Sequence, residues 1–235
     1  MSSIEQVDNI IAATEGLSWQ ARLQWVAAHY KHVTFSTSLG LEDQLITHEI
    51  AVTHLPISIF TLDTGRLFEQ TYALLQKTEY HYHIKIKTYH PDTAALEHYI
   101  AQHGVNGFYQ SVDNRKGCCH IRKVEPMQRA LKGAQIWISG LRREHSDNRA
   151  DMPIAQWSDD AIEEIREQIA KHAIPYNLMH DQGFPSIGCA PCTRAVAAGE
   201  HLRAGRWWWE NDTAQECGLH LVNGKLVSSK GASHA

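Results

Sequence analysis

The chain has 235 residues, 43% of them hydrophobic and 20% charged, and a net charge of −4 with its sixteen histidines neutral. That length accommodates an α/β domain with a large core, and the balance of charge excludes a whole-protein basic surface for nucleic acid. No apolar run approaches the roughly 20 residues a membrane helix needs, and Met1 to Ile10 lacks the basic-then-apolar pattern of a targeting peptide, so a cytoplasmic protein with reduced thiols is expected.

In chain order, residues 4 to 30 read as helices, with Ile10, Ile11, Leu23, Trp25, Val26 and Tyr30 as their apolar faces. Val33 to Ser36 reads as a short buried strand running into Thr37-Ser38-Leu39-Gly40-Leu41-Glu42-Asp43, followed by a helix from Gln44 to Ala51. A strand, a small-residue turn and a helix N-terminus present unpaired N–H groups to an anion, and the hydroxyls of Ser36, Thr37 and Ser38 add donors. Ile57 to Leu62 is a second apolar strand, ending at Asp63-Thr64-Gly65, after which Leu67, Phe68, Thr71, Leu74 and Leu75 share one helical face. His83 to Lys87 alternates like a further strand. Cys118 and Cys119 are expected at a helix start, with Lys123 one turn on and Pro126 marking a kink or a new helix. Ala134 to Ser139 is another strand, ending at Gly140-Leu141-Arg142-Arg143, and Ser158-Asp159-Asp160 caps a helix that buries Ile162, Ile165 and Ile169.

Strands alternating with helices imply a parallel sheet, whose ligands bind at the carboxyl ends of strands. Ser36 to Ser38, Asp63 and the Arg142-Arg143 pair all fall there. The expected organisation is N-terminal helices over 1–32, an α/β domain over 33–200 and a mobile tail over 201–235, with Ser228 to Ala235 disordered.

The five cysteines divide as an adjacent pair, Cys118 and Cys119, a C-x-x-C pair, Cys189 and Cys192, and a single, Cys217. Two pairs can bring four thiolates to one centre. A structural zinc site fits the same spacing, whereas a thioredoxin-type redox pair fits poorly so late in the chain. Cys217, left over in a polar tail, is a candidate nucleophile, since exposure and nearby cations favour the thiolate. The cationic residues available to anionic groups are Lys123, Arg142, Arg143, Arg203 and Arg206, the last two beside Trp207, Trp208 and Trp209, which read as packing for the tail.

Taken jointly, Cys118-Cys119 with Lys123, Cys189-x-x-Cys192, the run from Arg203 to Trp209, Glu216-Cys217-Gly218-Leu219-His220, the serine-rich loop and Leu62-Asp63-Thr64-Gly65 resemble the iron–sulfur adenosine 5′-phosphosulfate (APS) reductases of the assimilatory sulfonucleotide reductase family. The resemblance runs from about Val33 to His220. It implies an adenine-nucleotide α-hydrolase-like, Rossmann-like α/β fold with a modified pyrophosphate-binding (PP) loop. It also implies a [4Fe-4S] cluster on Cys118, Cys119, Cys189 and Cys192, and Cys217 as nucleophile with Lys123 and His220 in the catalytic set. Ser36, Ser38, Asp43, Asp63, Arg142, Arg143, Arg203 and Arg206 are then the substrate-binding residues. The implied reaction is thiolate attack on the phosphosulfate, release of AMP, an S-sulfocysteine intermediate, and release of sulfite by thioredoxin or a glutaredoxin-like dithiol; a homo-oligomer is compatible with all of this. The rivals are a reductase of the 3′-phosphorylated nucleotide (PAPS), a zinc-containing PP-loop ATP pyrophosphatase, and a zinc-stapled interaction module without catalysis.

Overall fold

The computed structural model describes the backbone of residues 3–140, 162–210, 219–222 and 225–228, with side chains over 8–140 and 162–210. The chain divides into two compact units that interleave in sequence: 1–61, 69–87 and 133–179 in the first, and 62–68, 88–132 and 180–235 in the second.

In the first unit, β1 (Val33–Ser36) is central. It pairs in parallel with β2 (Ser58–Leu62), Phe35 opposite Ile59, and with β4 (Ile136–Ser139), Phe35 opposite Ile138. The sheet order is β3-β2-β1-β4, with β3 spanning Lys87–Tyr89. Val33, Phe35, Ile57, Ile59 and Ile138 are buried in one apolar cluster, as expected of strands covered on both faces. Helices α1 (Ser3–Ala13) and α2 (Trp19–His29) deliver Ile10, Leu23 and Val26 to that same cluster, and Ser18 caps α2 by accepting from Ala21 N. Helix α3 (Leu41–Val52) is buried along much of its circumference. Leu41 and Leu45 pack with Ile165, Ile169 of α8 (Ile162–Lys171) and Ile174, while Gln44 donates to Thr78 Oγ1 and Pro175 O. The expected cap Ser158-Asp159-Asp160 lies outside the described residues.

Two expectations for this region are corrected. Helix α4 runs from Glu69 to Tyr82, so Leu67 and Phe68 precede it instead of sharing its face; Leu67 makes an isolated antiparallel bridge with Cys189. Of the expected strand His83 to Lys87 only Lys87 is in a strand, as the first residue of β3. His83 sits at φ 54°, Ile84 N donates back to Glu79 O and Ile86 N to Glu79 Oε1, so the end of α4 holds 83–86 as a turn. The alternation of Ile84 and Ile86 reflects their packing on the core without any ladder.

In the second unit, Asp92 caps α5 (Thr93–His103), which stops at Gly104 with φ 79°, a left-handed C-terminus that glycine adopts without strain. A short 3₁₀ turn (Gly107–Tyr109) leads to α6 (Val112–Cys119), capped by Ser111. One π-helical turn, His120–Val124, joins α6 to α7 (Glu125–Ala130). Pro126 lies in the first turn of α7, directly after the π turn, matching the expectation that a kink or a new helix begins near it. An antiparallel hairpin, β5 (Leu219–Val222) and β6 (Lys225–Ser228), follows; Ser228, expected to be disordered, closes it opposite Leu219.

Candidate active site: a cysteine-lined cavity and a serine loop

Cys118 and Cys119 lie at the C-terminal end of α6, not at a helix start, because Ser111 nucleates the helix well upstream. The positive end of a helix dipole therefore does not reach these thiols. Cationic side chains take its place. Arg115 stands one turn before them and Arg122 and Lys123 one turn after, all lining the cavity the cysteines line. The π turn that carries Arg122 and Lys123 re-aims side chains out of α-helical register, a device concentrated at functional sites.

The other pair is presented by a 3₁₀ turn, Ala190–Cys192, that Pro191 initiates. Cys192 N and Thr193 Oγ1 both donate to Cys189 O, at 3.0 and 2.9 Å. Ala190 N donates to Arg66 O at 2.8 Å, Tyr109 OH to Pro191 O at 2.7 Å, and Cys189 Sγ lies 3.3 Å from Thr64 Oγ1. Thr64 O in turn accepts from Arg122 Nη1 at 2.5 Å, linking the two pairs.

All four cysteines are 7–9% exposed, none is in a disulfide, and they pack with Tyr99, Phe108 and Trp207. The small pocket they line is walled also by Arg66, Phe108 and Pro191. Burial pushes the Cys118 thiol up, against the pull of Arg122. Burial pushes Cys192 up to about 12, reinforced by Cys189 and opposed by Lys123 and Arg206. Burial thus disfavours the thiolates of Cys118 and Cys192, which a positive metal centre would stabilise. Two buried donors beside the cysteines, Arg122 Nε and Trp207 Nε1, have no partner among the described residues, a condition buried polar groups rarely tolerate. Thiols for metal, cations for net charge and spare N–H donors together fit a cysteine-ligated iron–sulfur cluster. Among the described residues no three His, Cys, Asp or Glu converge as ligands of a single metal ion.

The serine loop belongs to the first unit. Ser36 Oγ accepts from Trp137 Nε1 at 2.8 Å. Leu39 is held at φ 61° with its N–H on Thr37 Oγ1. Ser38 gives both its N–H and its hydroxyl to Asp43 Oδ2, at 2.5 and 2.7 Å, and Gly140 contributes a backbone hydrogen bond to the same carboxylate. A Cβ at Gly140 would collide with Asp43 Oδ1, so only glycine fits. Burial, with a smaller push from Glu42, raises Asp43 to about 6 despite the Ser38 bonds. Ser38 and Asp43, both expected at the ligand, thus hold each other.

In the second unit, Asp63 Oδ1 accepts from Gly65 N at 2.7 Å and Oδ2 lies 3.4 Å from His90 Nδ1. Arg206 is buried with its guanidinium against Gly188 and 4.9 Å from the Trp207 ring; Arg203 lies 6.0 Å from that ring. Trp207 is buried and Trp209 packs on Phe108 and Tyr109, consistent with aromatic packing of this segment.

A family model described as the phosphoadenosine phosphosulfate reductase domain matches residues 32–195. The chain belongs to that reductase family. Relatives named adenosine 5′-phosphosulfate reductase include one from Sinorhizobium fredii, 49% identical and covering 94% of this chain and 93% of its own. Others are from Allochromatium vinosum, 46% identical over 84% of this chain and 82% of its own, and Neisseria meningitidis, 42% identical over 92% and 94%. A crystal structure of phosphoadenylyl-sulfate (PAPS) reductase from Candida auris, in a phosphate complex, superposes with a TM-score of 0.65 at 25% identity, covering 83% of this chain and 98% of that one. The parallel sheet with flanking helices is the fold of this reductase family.

Of the residues expected at the site of this reductase, Arg142, Arg143 and Cys217 lie outside the described residues. His220 belongs to β5, opposite Val227. The backbone of β6 lies against the His120–Val124 turn that carries Lys123. Sequence reasoning passed over Arg66, Arg115, Arg122, Thr64 and Glu210. Arg115 and Arg122 were detectable as cations within one helical turn of the adjacent cysteines; Glu210 carried no local signal.

Proposed function

We propose that this chain reduces adenosine 5′-phosphosulfate to sulfite and AMP in the cytoplasmic assimilation of sulfate, using a dithiol protein such as thioredoxin as reductant. The observation that carries the reading is the convergence of two distant cysteine pairs on one cation-ringed cavity, in a chain whose relatives at 42–49% identity are named for this activity. Among the described residues no helix is long and apolar enough to cross a membrane.

Cys118, Cys119, Cys189 and Cys192 would hold a [4Fe-4S] cluster, which when bound would supply a fixed, buried charge centre. The chain's own residues perform the rest. The Cys217 thiolate attacks the sulfur of the phosphosulfate, the bond from that sulfur to the bridging phosphate oxygen breaks, and AMP departs with the electron pair. Lys123, Arg142, Arg143, Arg203 and Arg206 offset the negative charge gathering on the leaving phosphate, and His220 sits near the nucleophile in sequence. Ser36, Ser38 and Asp43 contribute to nucleotide binding at the end of β1, and Asp63 is a further candidate nucleotide contact. With four thiols engaged, no second thiol of this chain is free to release sulfite. One thiol of the partner attacks Cys217 Sγ, sulfite leaves with the electron pair, and the partner's second thiol resolves the mixed disulfide.

The test combines three measurements on anaerobically purified protein: iron and acid-labile sulfide counts with the visible spectrum, steady-state rates with APS and with PAPS, and the variant Cys217→Ser. The expected result is about four irons per chain, turnover of APS in preference to PAPS, and loss of sulfite release in Cys217→Ser with the visible absorption kept. Stoichiometric zinc in place of iron, or normal turnover by Cys217→Ser, refutes the reading.

A further inference from the structure

Arg115 and Glu210 form a bidentate ion pair in the second unit, Nε to Oε1 and Nη2 to Oε2, both 2.8 Å, with side chains 1% and 3% exposed. We propose that this pair is a clasp that fixes the spacing of the two cysteine pairs, which makes Arg115 and Glu210 positioning residues for the thiols. The inference deepens the cluster reading above and rests on it for its purpose, though not for its geometry.

A continuous path supports it. Arg115 precedes Cys118 and Cys119 by one helical turn on the same face of α6, and it lines their cavity. Glu210 N donates to Trp207 O at 2.9 Å, and Trp207 N donates to Cys192 O at 3.3 Å. Trp207 is fully buried at φ 46°, a conformation non-glycine residues adopt only when held, and the Arg115 guanidinium lies 4.6 Å from its ring. The helix bearing one cysteine pair is therefore tied, through Arg115, Glu210 and Trp207, to the backbone of the other pair. The Cys189–Thr64–Arg122 link closes the opposite side.

Energetics favour a geometric role over a stabilising one. Desolvating two charges offsets most of their attraction, and apolar replacements of a buried pair are often no less stable. What such replacements lack is direction: the planar fork of an arginine on a carboxylate fixes both distance and orientation. A clasp of this kind matters where thiols must be preorganised around a cofactor, and outer residues that orient ligands change metal retention without touching the metal.

The experiment uses the full chain, wild type, Glu210→Gln, and the double variant R115M/E210M, which keeps apolar bulk while removing the fork. In the anaerobic protein as purified, both variants release iron to a chelator about 10-fold faster than wild type. In metal-free protein, a short bifunctional thiol reagent joins Cys118 or Cys119 to Cys189 or Cys192 in high yield for wild type and severalfold less in the variants. The double variant melts close to wild type, a result that separates lost positioning from lost folding. Wild-type iron release together with wild-type cross-linking in the double variant overturns the clasp. Absence of iron from the wild type refutes the cluster reading instead, and the cross-linking yields still decide the clasp.

Discussion

Asp43→Asn separates the burial cost of a charge from the hydrogen bonds that hold the serine loop. Asp43 accepts from Ser38 N, Ser38 Oγ and Gly140 N, yet burial raises it from 3.8 to about 6. A rise of about 2 units corresponds to about 3 kcal/mol, since each unit is worth about 1.4 kcal/mol. The folded state binds this proton more tightly than the unfolded chain does, so the residue's contribution is most favourable below about pH 4. It declines as pH climbs from about 4 to 6, and the full cost is present above that window. Between pH 5 and pH 7.5 the wild type should lose about 1.4 kcal/mol through Asp43 alone. In the variant one amide oxygen still serves Ser38, while the amide nitrogen faces the Gly140 N–H, a donor against a donor that costs about 1–3 kcal/mol. At pH 7.5 the two effects nearly cancel. Urea unfolding of both proteins at pH 5 and pH 7.5, with the same metal content, measures the double difference. An expected value near 1.4 kcal/mol makes the wild type gain more than the variant on acidification; parallel pH dependences would show that Asp43 ionises as an ordinary surface aspartate and refute the reasoning.

Gly188→Ala drives a Cβ into the buried Arg206 guanidinium, and the fit is tight enough that the arginine must move. The variant should lose about 1–3 kcal/mol in chemical denaturation, and an unchanged midpoint would mean that Arg206 yields freely. Lys123→Gln removes a cation from the wall of the cysteine cavity. Steady-state kinetics should show kcat/KM for APS lowered by about 10²–10³ while the visible spectrum is retained; a variant with normal kinetics would reduce Lys123 to a bystander.

The strands of the first unit were legible because burial on both faces leaves continuous apolar runs. Val33 to Ser36 was read at its observed limits, and Ser58–Leu62 and Ile136–Ser139 within two residues. Where the reading failed, a tertiary contact overrode the local pattern. Ile84 and Ile86 alternate with polar residues because they reach the core from a turn pinned by Glu79. Leu67 has helical spacing to Thr71 and Leu74, but it pairs with Cys189, a residue far along the chain. Periodicity records which side chains are buried; it does not record whether a ladder or a turn buries them.

The site divides along the same line. The grouping of Cys118 and Cys119 with Cys189 and Cys192 was readable because thiol spacing constrains chemistry directly, and Lys123 because one helical turn separates it from Cys119. The expected position of Cys118 and Cys119 at a helix start is corrected by the fold. Ser111 caps α6 and so puts the cysteines at its far end, where side-chain cations stand in place of the expected helix N-terminus. That difference matters for mechanism. A helix dipole is built into the backbone and survives substitution, whereas the charge around these thiols resides in individual side chains of Arg66, Arg115, Arg122 and Lys123. Glu210 shows the limit most clearly. It is separated from Arg115 by 95 residues, and nothing in its neighbourhood distinguishes it from a solvated glutamate. Only the folded chain reveals that its carboxylate is buried against the helix carrying one cysteine pair, three residues after the tryptophan hydrogen-bonded to Cys192.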